Sequence, residues 1–191
     1  MIITISGSPG SGKSTVRNIL AQKLNLKRYS TGNFMRQLAT EKGVSLEEFG
    51  KMAQQDSTID KQLDNRQVKL GKEENNFIID GRLSFHFIPN SIKIFIDAKL
   101  EIRAQRILRD IRNNVRTTEN SKTLQEQIDS IKKRESSEKL RYKQYYNLDP
   151  YDKSNYDLVI DSSNSNAEEI ASKIITLINE QKLDNIKQQD L

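Results

Sequence analysis

The chain has 191 residues, 35% of them apolar and 30% charged, which is enough for one domain with a buried core. No apolar stretch approaches the roughly 20 residues of a membrane span, and the absence of cysteine together with a single histidine excludes disulfides, thiolate metal sites and a histidine-based zinc site. The net charge of +5 is compatible with nucleic-acid binding, but the arginines gather between 103 and 141, as in an enzyme that neutralises anionic substrates.

The first element is a short apolar strand over residues 1–5, followed by a glycine-rich loop and an amphipathic helix over 16–24. The loop carries the complete G-x-x-x-x-G-K-[ST] pattern, in the residues Gly7, Ser8, Pro9, Gly10, Ser11, Gly12, Lys13, Ser14 and Thr15. Glycines allow backbone angles at which several N–H groups surround an anion, and the start of the helix adds to the attraction. The pattern predicts that this phosphate loop (residues 7–15) binds a nucleoside triphosphate, with Lys13 at the outer phosphates and the Ser14 hydroxyl on Mg²⁺.

The next segment predicts a compact helical insertion between two strands. A short strand at 27–30 leads into a turn at 31–33 and a helix over 34–42. Residues 45–48 have the S-x-x-E form of a capping box, which favours a further helix start. A third helix is expected from about 56 to 71, with Ile59, Leu63 and Leu70 on its apolar side.

The second half of the chain alternates strands with helices. Apolar runs at 76–80, 92–97 and 156–161 predict three strands, and a helix after the second of them carries Arg103, Arg106 and Arg109. Residues 110–122 are polar, and a long charged helix with few apolar positions is expected from 121 to 146, which is typical of a moving element. The last helix is predicted over 167–179.

This alternation predicts the fold class α/β: a P-loop NTPase with a five-stranded, mostly parallel sheet and helices on both faces. We expect one domain over 1–182, with the helical insertion at about 31–74, a mobile lid at about 110–145 and a polar, frayed tail over 183–191. The sequence has no N-K-x-D segment for guanine recognition, which argues against a GTPase, and it is too short for most motor or transporter ATPases.

Several further segments follow the phosphate loop in a specific order: Ser30-Thr31-Gly32-Asn33-Phe34-Met35-Arg36, Ile59-Asp60-Lys61, Asp80-Gly81-Arg82-Leu83, Arg134-Glu135-Ser136-Ser137-Glu138 and Tyr156-Asp157-Leu158-Val159-Ile160. With these segments the chain resembles the nucleoside monophosphate kinases, and most closely the short archaeal-type cytidylate kinases. The resemblance extends from residue 2 to about residue 178. Many families share the loop, whereas the ordered combination is specific.

The resemblance implies that Arg36 and Arg82 grip the phosphate of a monophosphate acceptor, beside Thr31, Gly32 and Gly81. A guanidinium group binds a phosphate through two parallel hydrogen bonds. Arg82 also follows a buried strand, and open α/β sheets bind ligands at the carboxyl ends of their strands. The alternative for Arg36 is an ordinary arginine on a helix surface.

Asp80 ends the same predicted strand. Its position makes it a candidate to hold Mg²⁺ through water, in addition to Ser14. The alternative is an aspartate that only stabilises the turn.

Four arginines flank the proposed lid and are expected to surround the transferring phosphoryl group when the lid closes: Arg106, Arg109, Arg134 and Arg141. Phosphoryl transfer spreads negative charge over the equatorial oxygens, and closure keeps water away from them. The alternative is a solvated pair of charged helices, in which Glu135 and Glu138 pair with neighbouring arginines.

Base recognition is assigned to three charged residues of the helical insertion: Asp60, Asp64 and Arg66. Cytosine presents an amino donor next to two acceptors, so an aspartate paired with an arginine matches its edge. An ordinary salt-bridged helix face is the alternative.

The sequence therefore predicts a cytoplasmic, monomeric kinase that transfers the γ-phosphoryl group of ATP, with Mg²⁺, to CMP or dCMP. No membrane partner and no stable nucleic-acid partner are expected. Two other functions stay open: a kinase for AMP or UMP, and a P-loop module that binds RNA through its basic lid.

Overall fold

A computed structural model describes residues 1–44, 48–49, 52–53, 56–113, 115 and 121–189. Five strands form one sheet: β1 (Ile2–Gly7), β2 (Lys27–Ser30), β3 (Phe77–Asp80), β4 (Ile92–Asp97) and β5 (Leu158–Asp161). Their order is β2-β3-β1-β4-β5, and each neighbouring pair is parallel. The predicted α/β fold with a parallel sheet is confirmed.

Helices connect the strands. Those in the described part of the chain are α1 (Lys13–Lys23), α2 (Thr31–Glu41), α3 (Ser57–Glu73), α4 (Ser84–Phe87), α5 (Leu100–Arg112), α6 (Leu124–Tyr146) and α7 (Ala167–Gln189). A short 3₁₀ helix, Lys153–Asn155, precedes β5. Within these ranges, no helix is both long and apolar enough to cross a membrane.

The central core lies between the sheet and helices α1 and α7. Ile3 and Ile5 of β1 and Ile94 and Ile96 of β4 have no solvent-exposed surface, and Leu20 of α1 packs against them. Helices cover both faces of a parallel sheet, so β1, β3 and the centre of β4 are buried apolar runs, whereas the edge strands β2 and β5 expose part of their residues. This is why the central strands were predictable from the sequence.

The carboxyl ends of the central strands meet at one edge of the sheet. Ile5 pairs in register with Asp80, and Gly7 pairs with Ile96, next to the end of β4. The phosphate loop and the Asp80-Gly81-Arg82 segment therefore lie side by side, although they are far apart in sequence.

Helix α6 packs against two separate clusters. Its first half contributes Ile131 to a cluster with Ala104 and Ile107 of α5, and its second half contributes Tyr142 and Tyr146 to an aromatic cluster. The few apolar positions of this helix are thus concentrated where it meets other elements, while Leu140 points outward with 74% of its surface exposed.

The structure differs from the prediction at several element boundaries. The expected turn at 31–33 is the first turn of α2, where the N–H groups have no partner inside the helix and where glycine and asparagine are tolerated. Helix α6 begins at Leu124 rather than 121, because Thr123 and Glu126 form a capping box. The helix α4 was not predicted, and α7 continues to Gln189. The capping box predicted over 45–48 lies largely outside the described residues.

Candidate active site

The phosphate loop connects β1 to α1 through two glycines with left-handed backbone angles. Gly10 has a φ of 80° and Gly12 a φ of 84°, a region that side chains disfavour. A Cβ atom on Gly10 would lie 2.6 Å from the Arg103 carbonyl oxygen, so the loop can approach α5 only because this residue has no side chain. The start of α1 directs free N–H groups into the loop, and these favour an anion.

Serine hydroxyls tie the loop to the neighbouring strands, with one exception. Ser8 Oγ donates to Asp97 Oδ1 at 3.0 Å, and Ser162 Oγ donates to the Ser11 carbonyl at 2.9 Å. The Ser11 hydroxyl is buried and has no hydrogen-bond partner among the described residues. Because buried polar groups are nearly always satisfied, this hydroxyl marks a place for a polar ligand.

Lys13 lies among other cations. Burial, followed by the charge of Arg82, lowers the pKa of Lys13 to about 7, and Arg134 acts in the same direction. Asp80 and Glu138 oppose the shift. A negatively charged ligand would restore the ordinary protonation of this lysine, so the site is electrostatically suited to a phosphate.

Asp80 lies at the end of β3 beside the start of α1. Its Oδ2 atom is 3.5 Å from Ser14 Oγ, and its Oδ1 atom forms an ion pair with Arg17. Arg17 also donates to the Tyr29 carbonyl at 3.3 Å. Arg17 was not predicted as a site residue, because a single arginine on the first helix carries no motif signal. In the described part of the chain, no group of three histidine, cysteine or acidic residues could hold a metal alone.

The residue Gly81 allows a close approach between β3 and α2. A Cβ atom there would lie 2.3 Å from Ser84 Oγ and 2.6 Å from Thr31 Cγ2. Ser6 Oγ donates to the Gly81 carbonyl at 2.8 Å. These contacts set the direction of the next residue, Arg82, toward the phosphate loop.

Arg82 and Arg134 share one carboxylate, Glu138. Arg82 Nε donates to Glu138 Oε2 at 2.6 Å, and Arg134 Nε donates to Oε1 at 3.0 Å. Arg82 Nη1 donates to the Gly7 carbonyl, and the Tyr151 hydroxyl donates to Glu138. Burial alone would raise the pKa of Glu138, but Arg82 and then Arg134 outweigh it and hold the pKa well below its usual range. We call Arg82, Arg134, Glu138 and Tyr151 the Glu138 cluster.

The structure separates the four arginines expected around the lid. Arg134 alone lies with Arg82 near Lys13. Arg106 is hydrogen-bonded to Ser162, with Nη2 2.7 Å from its carbonyl oxygen, and the exposed Arg109 is close enough to lower the pKa of Arg106, although less than burial does. Arg141 lies elsewhere, in a pocket between helices.

This second region, the helix pocket, lies between α2, α3 and α6. Its lining consists of Thr31, Met35, Asp60, Leu63, Asp64, Gln67, Arg82, Leu83, Phe87, Arg141, Tyr142 and Tyr146. Arg82 belongs both to this lining and to the contacts of the phosphate loop, so the two regions adjoin.

Two buried polar atoms of the helix pocket lack partners. Asp60 Oδ2 and Arg141 Nε lie 4.0 Å apart, and neither makes a hydrogen bond to a described residue. Burial raises the pKa of Asp60, and the charge of Arg141 opposes this. An acceptor and a donor, side by side and unsatisfied, fit a ligand edge that presents a donor next to an acceptor.

Asp64 lies one turn further along α3 and accepts a hydrogen bond from Tyr146 of α6. Burial raises the pKa of Asp64 to about 6, against the effect of this hydrogen bond, and the charge of Asp60 adds to the increase. The contact joins the helical insertion directly to α6.

Two further residues predicted to contact the acceptor, Arg36 and Arg66, lie outside this lining. Arg66 extends toward α2, with Nη1 3.2 Å from Gln37 Oε1 and Nη2 3.7 Å from Glu41. Arg36 lies on the exposed face of α2 beside Gly32 and donates to Asn33. The structure thus groups Asp60 and Asp64 with Arg141 rather than with Arg66.

Comparisons with known proteins agree with this architecture. A shikimate kinase from Acinetobacter baumannii has a similar fold, with a TM-score of 0.63 and 17% identity over 95% of this chain and 94% of that one. At this identity the likeness concerns the fold alone.

Sequence relatives are much closer. A cytidylate kinase from Methanocella arvoryzae is 41% identical over 95% of this chain and 99% of its own length. One from Methanocaldococcus jannaschii is 40% identical over 98% and 99%, respectively. The model of the cytidylate kinase-like family matches residues 2–164. With a phosphate loop, an adjoining helix pocket and this extent of similarity, the chain belongs to the cytidylate kinase-like family.

Proposed function

We propose that the protein transfers the γ-phosphoryl group of ATP to CMP, and also to dCMP, yielding ADP and CDP or dCDP. The observation that carries the proposal is the position of Arg82. This residue lines the helix pocket and also contacts the first residue of the phosphate loop. A donor nucleotide in the loop and an acceptor in the pocket would therefore meet end to end. The cytidylate kinase relatives support CMP as the acceptor.

The donor nucleotide is held by the phosphate loop. Its backbone N–H groups and Lys13 bind the phosphates, and the buried Ser11 hydroxyl has capacity for one further hydrogen bond. Arg106 and Ser162 lie on the other side of the loop, where they stabilise its conformation.

The residues present fit a magnesium ion. Ser14 Oγ and Asp80 Oδ2, 3.5 Å apart, are oxygen donors of the kind Mg²⁺ takes together with substrate phosphates. Ser14 would bind the ion directly and Asp80 through water, because Asp80 already pairs with Arg17. When bound, Mg²⁺ supplies charge neutralisation on the β- and γ-phosphates.

The acceptor nucleotide occupies the helix pocket. Arg82 and Arg36 hold its phosphate, and Asp60 accepts a hydrogen bond from the cytosine amino group. Arg141 donates to the adjacent ring nitrogen or carbonyl, which are acceptors in cytosine. Uracil has no amino group at that position, so the Asp60 carboxylate would face an oxygen. Arg141 takes the place that the sequence analysis gave to Arg66.

Transfer proceeds by direct in-line attack, without a covalent enzyme intermediate, since the two regions hold both substrates at once. Lys13, Arg82 and Arg134 stabilise the charge that develops on the transferring group. Arg106 acts indirectly, because it supports the phosphate loop, and Arg109 lies exposed on α5. Helix α6 carries Arg134 and Arg141 and belongs to the lid at about 110–145. The lid and the acceptor insertion at about 31–74 are parts of one domain over 1–182, and the lid closes over the bound substrates.

The test is an assay of the purified protein with ATP and Mg²⁺ against CMP, dCMP, UMP, AMP and GMP. We expect CDP and dCDP to form fastest. A strong preference for AMP would contradict the assignment of the base-binding residues. Steeply salt-dependent RNA binding with no turnover of any monophosphate would contradict a kinase altogether.

A further inference from the structure

The carboxylate of Glu138 has an unusual position for an acidic group in a site built for phosphates. It lies beside Arg82 and Arg134, the two arginines whose charges act on Lys13, and only 12% of its side chain is exposed. An acidic group next to a phosphate site repels the substrate unless cations neutralise it. A buried carboxylate here therefore needs a specific reason.

The geometry shows that Glu138 orients Arg82 without exhausting it. Arg82 uses Nε and Nη2 for Glu138, at 2.6 and 3.4 Å, and Nη1 for the Gly7 carbonyl. A guanidinium group has five N–H donors, so two remain for a phosphate. The planar group is held at three points and cannot rotate freely.

The same carboxylate sets the distance between two arginines. Glu138 Oε1 accepts from Arg134 Nε at 3.0 Å, while Oε2 accepts from Arg82 Nε. Arg134 is 52% exposed, so without this partner its long side chain would be free to extend into solvent. The Tyr151 hydroxyl, from the segment after α6, binds the carboxylate from a third direction.

The charges point the same way. Lys13, Arg82 and Arg134 repel one another, and Glu138 is one of two acidic groups that act on Lys13. If an incoming phosphate displaced the carboxylate, an ionised group with four hydrogen bonds would lose them, which is strongly unfavourable.

We propose that Glu138 is a positioning residue for phosphoryl transfer, which holds Arg82 and Arg134 at a fixed separation and seats α6 against the phosphate loop before nucleotides bind. This inference rests on the proposed kinase function. The opposite role, a carboxylate that occupies the place of a phosphate and leaves when the nucleotide arrives, predicts a different outcome.

The test is the substitution Glu138→Gln, which keeps the shape of the side chain and removes its charge. We expect kcat for CDP formation to fall by about tenfold or more, because charge-assisted hydrogen bonds are lost and small displacements of positioning groups are costly. The KM for ATP should change by less than about threefold, since the backbone of the loop and Lys13 still bind the donor. Hydrogen exchange of residues 124–146 should be faster than in the parent protein, without any nucleotide.

The matched control is Glu135→Gln on the same helix. Glu135 pairs with Arg103 Nη1 of α5 at 2.6 Å, and in the described part of the chain its carboxylate forms no hydrogen bond with Arg82 or Arg134. The Glu135→Gln variant should lower the melting temperature about as much as Glu138→Gln does, but its kcat should stay within about twofold of the parent value. A second variant, Tyr151→Phe, removes one hydrogen bond to Glu138 and should fold normally, with a decrease in kcat smaller than that of Glu138→Gln.

Three results would overturn the proposal. If Glu138→Gln left kcat unchanged and bound CMP or inorganic phosphate more tightly, Glu138 would be a carboxylate that the nucleotide displaces, and not a positioning residue. An equal loss of kcat in Glu135→Gln would reduce the effect to helix packing. Unchanged hydrogen exchange of 124–146 would exclude the seating role. If the parent protein makes no CDP, the proposed function fails, and the exchange comparison alone then decides whether Glu138 seats α6.

Discussion

Among single residues, Lys13 is one whose charge depends strongly on its surroundings. Burial and two neighbouring arginines lower its pKa to about 7, so part of the population is neutral before a phosphate arrives. A lysine cation lowers the barrier to phosphoryl transfer when its attraction to the transferring group is stronger in the transition state than in the bound substrate. Lys13 is thus suited to a site that is occupied by a phosphate, because the bound anion favours the charged form of the lysine.

We expect Lys13→Ala to lower kcat/KM for CDP formation by roughly 10²–10³-fold, as the loss of a group that stabilises developing charge does. The measurement is a steady-state assay with ATP, Mg²⁺ and CMP. Lys23→Ala, at the other end of α1 where the lysine pairs with Glu168 on the surface, is the control and should retain activity. Equal losses in both variants would show that the effect comes from the helix and not from the phosphate loop.

Asp60 offers the sharpest test of base recognition. An Asp60→Asn substitution replaces one acceptor oxygen by a donor, so kcat/KM for CMP should fall by about tenfold or more and the preference of CMP over UMP should narrow. Competition assays with the two monophosphates measure this ratio. The control is Arg66→Ala, because the Arg66 side chain contacts Gln37 and Glu41 rather than the pocket. This variant should change the CMP-to-UMP preference by less than about twofold. A ratio that moves only in Arg66→Ala would restore the residue set predicted from the sequence.

The carboxyl group of Asp64 predicts a pH dependence of stability. Its pKa in the folded protein, about 6, lies above the ordinary value of 3.8, so the folded state binds this proton more tightly. The resulting stabilisation is fully present below about pH 4 and is lost as the pH rises through 6. The charged neighbours are Asp60 and Arg141, and the hydroxyl of Tyr146 completes the surroundings.

The comparison is the free energy of unfolding of the parent and of Asp64→Asn between pH 4 and 7. The parent should lose about 1 kcal/mol relative to the variant over this range, less than a full conversion of the pKa shift because the carboxyl is partly open to solvent. Denaturant titrations at each pH give the difference. Parallel curves for the two proteins would refute the assignment.

At the scale of elements, the glycines of the phosphate loop have different reasons to be glycine. Gly10 and Gly12 both have positive φ, but a Cβ atom on Gly10 would meet the Arg103 carbonyl at 2.6 Å, whereas on Gly12 the nearest atom is Arg106 Nη1 at 4.0 Å. The first position is limited by backbone angle and by space, and the second by backbone angle alone.

Gly10→Ala should therefore destabilise the protein more than Gly12→Ala. We expect a loss of about 1 kcal/mol for Gly12→Ala from the backbone conformation and at least about twice that for Gly10→Ala, where α5 must also move. Thermal and denaturant unfolding of the two variants without nucleotide measures the difference. Equal losses would indicate that α5 shifts at no cost.

The elements show what the sequence determines locally. The strands β1, β3 and the centre of β4 (residues 94–96) were predicted because both of their faces are buried, which makes them runs of mainly apolar residues. The start of α6 was placed three residues early because Thr123 and Glu126, which cap the helix, were not recognised as a pair. The helix α4 has four residues, too few for any periodic pattern.

The assignment of charged side chains was less predictable. Arg66 and Arg141 both lie on amphipathic, highly charged helices, and the sequence does not show which of them turns toward Asp60. That choice depends on how α3 and α6 pack across the pocket, a contact between segments far apart in the chain. The Arg82–Glu138 pair, 56 residues apart, is of the same kind. Only for the motif residues of the phosphate loop can the role be predicted from the neighbouring residues in the sequence.

On the scale of the whole molecule, the sheet order brings distant segments to one place. The strand β1 lies between β3 and β4, so the loop after β1 is flanked by the ends of both neighbours. Helix α6 then crosses from the α5 side to the α3 side, and it contacts Arg82 on the way. The phosphate loop and the helix pocket are consequently parts of one continuous arrangement rather than separate modules.

The central position of β1 also has a consequence for biogenesis. Both of its hydrogen-bonding partners, Phe77–Asp80 and Ile92–Asp97, are synthesised long after it, so β1 cannot complete its pairing until most of the first hundred residues have left the ribosome. During translation this apolar strand is exposed to aggregation and to chaperones. The nucleotide site therefore forms late during synthesis of the chain. ATP can stabilise the folded protein by binding only after β1 has paired with both neighbours.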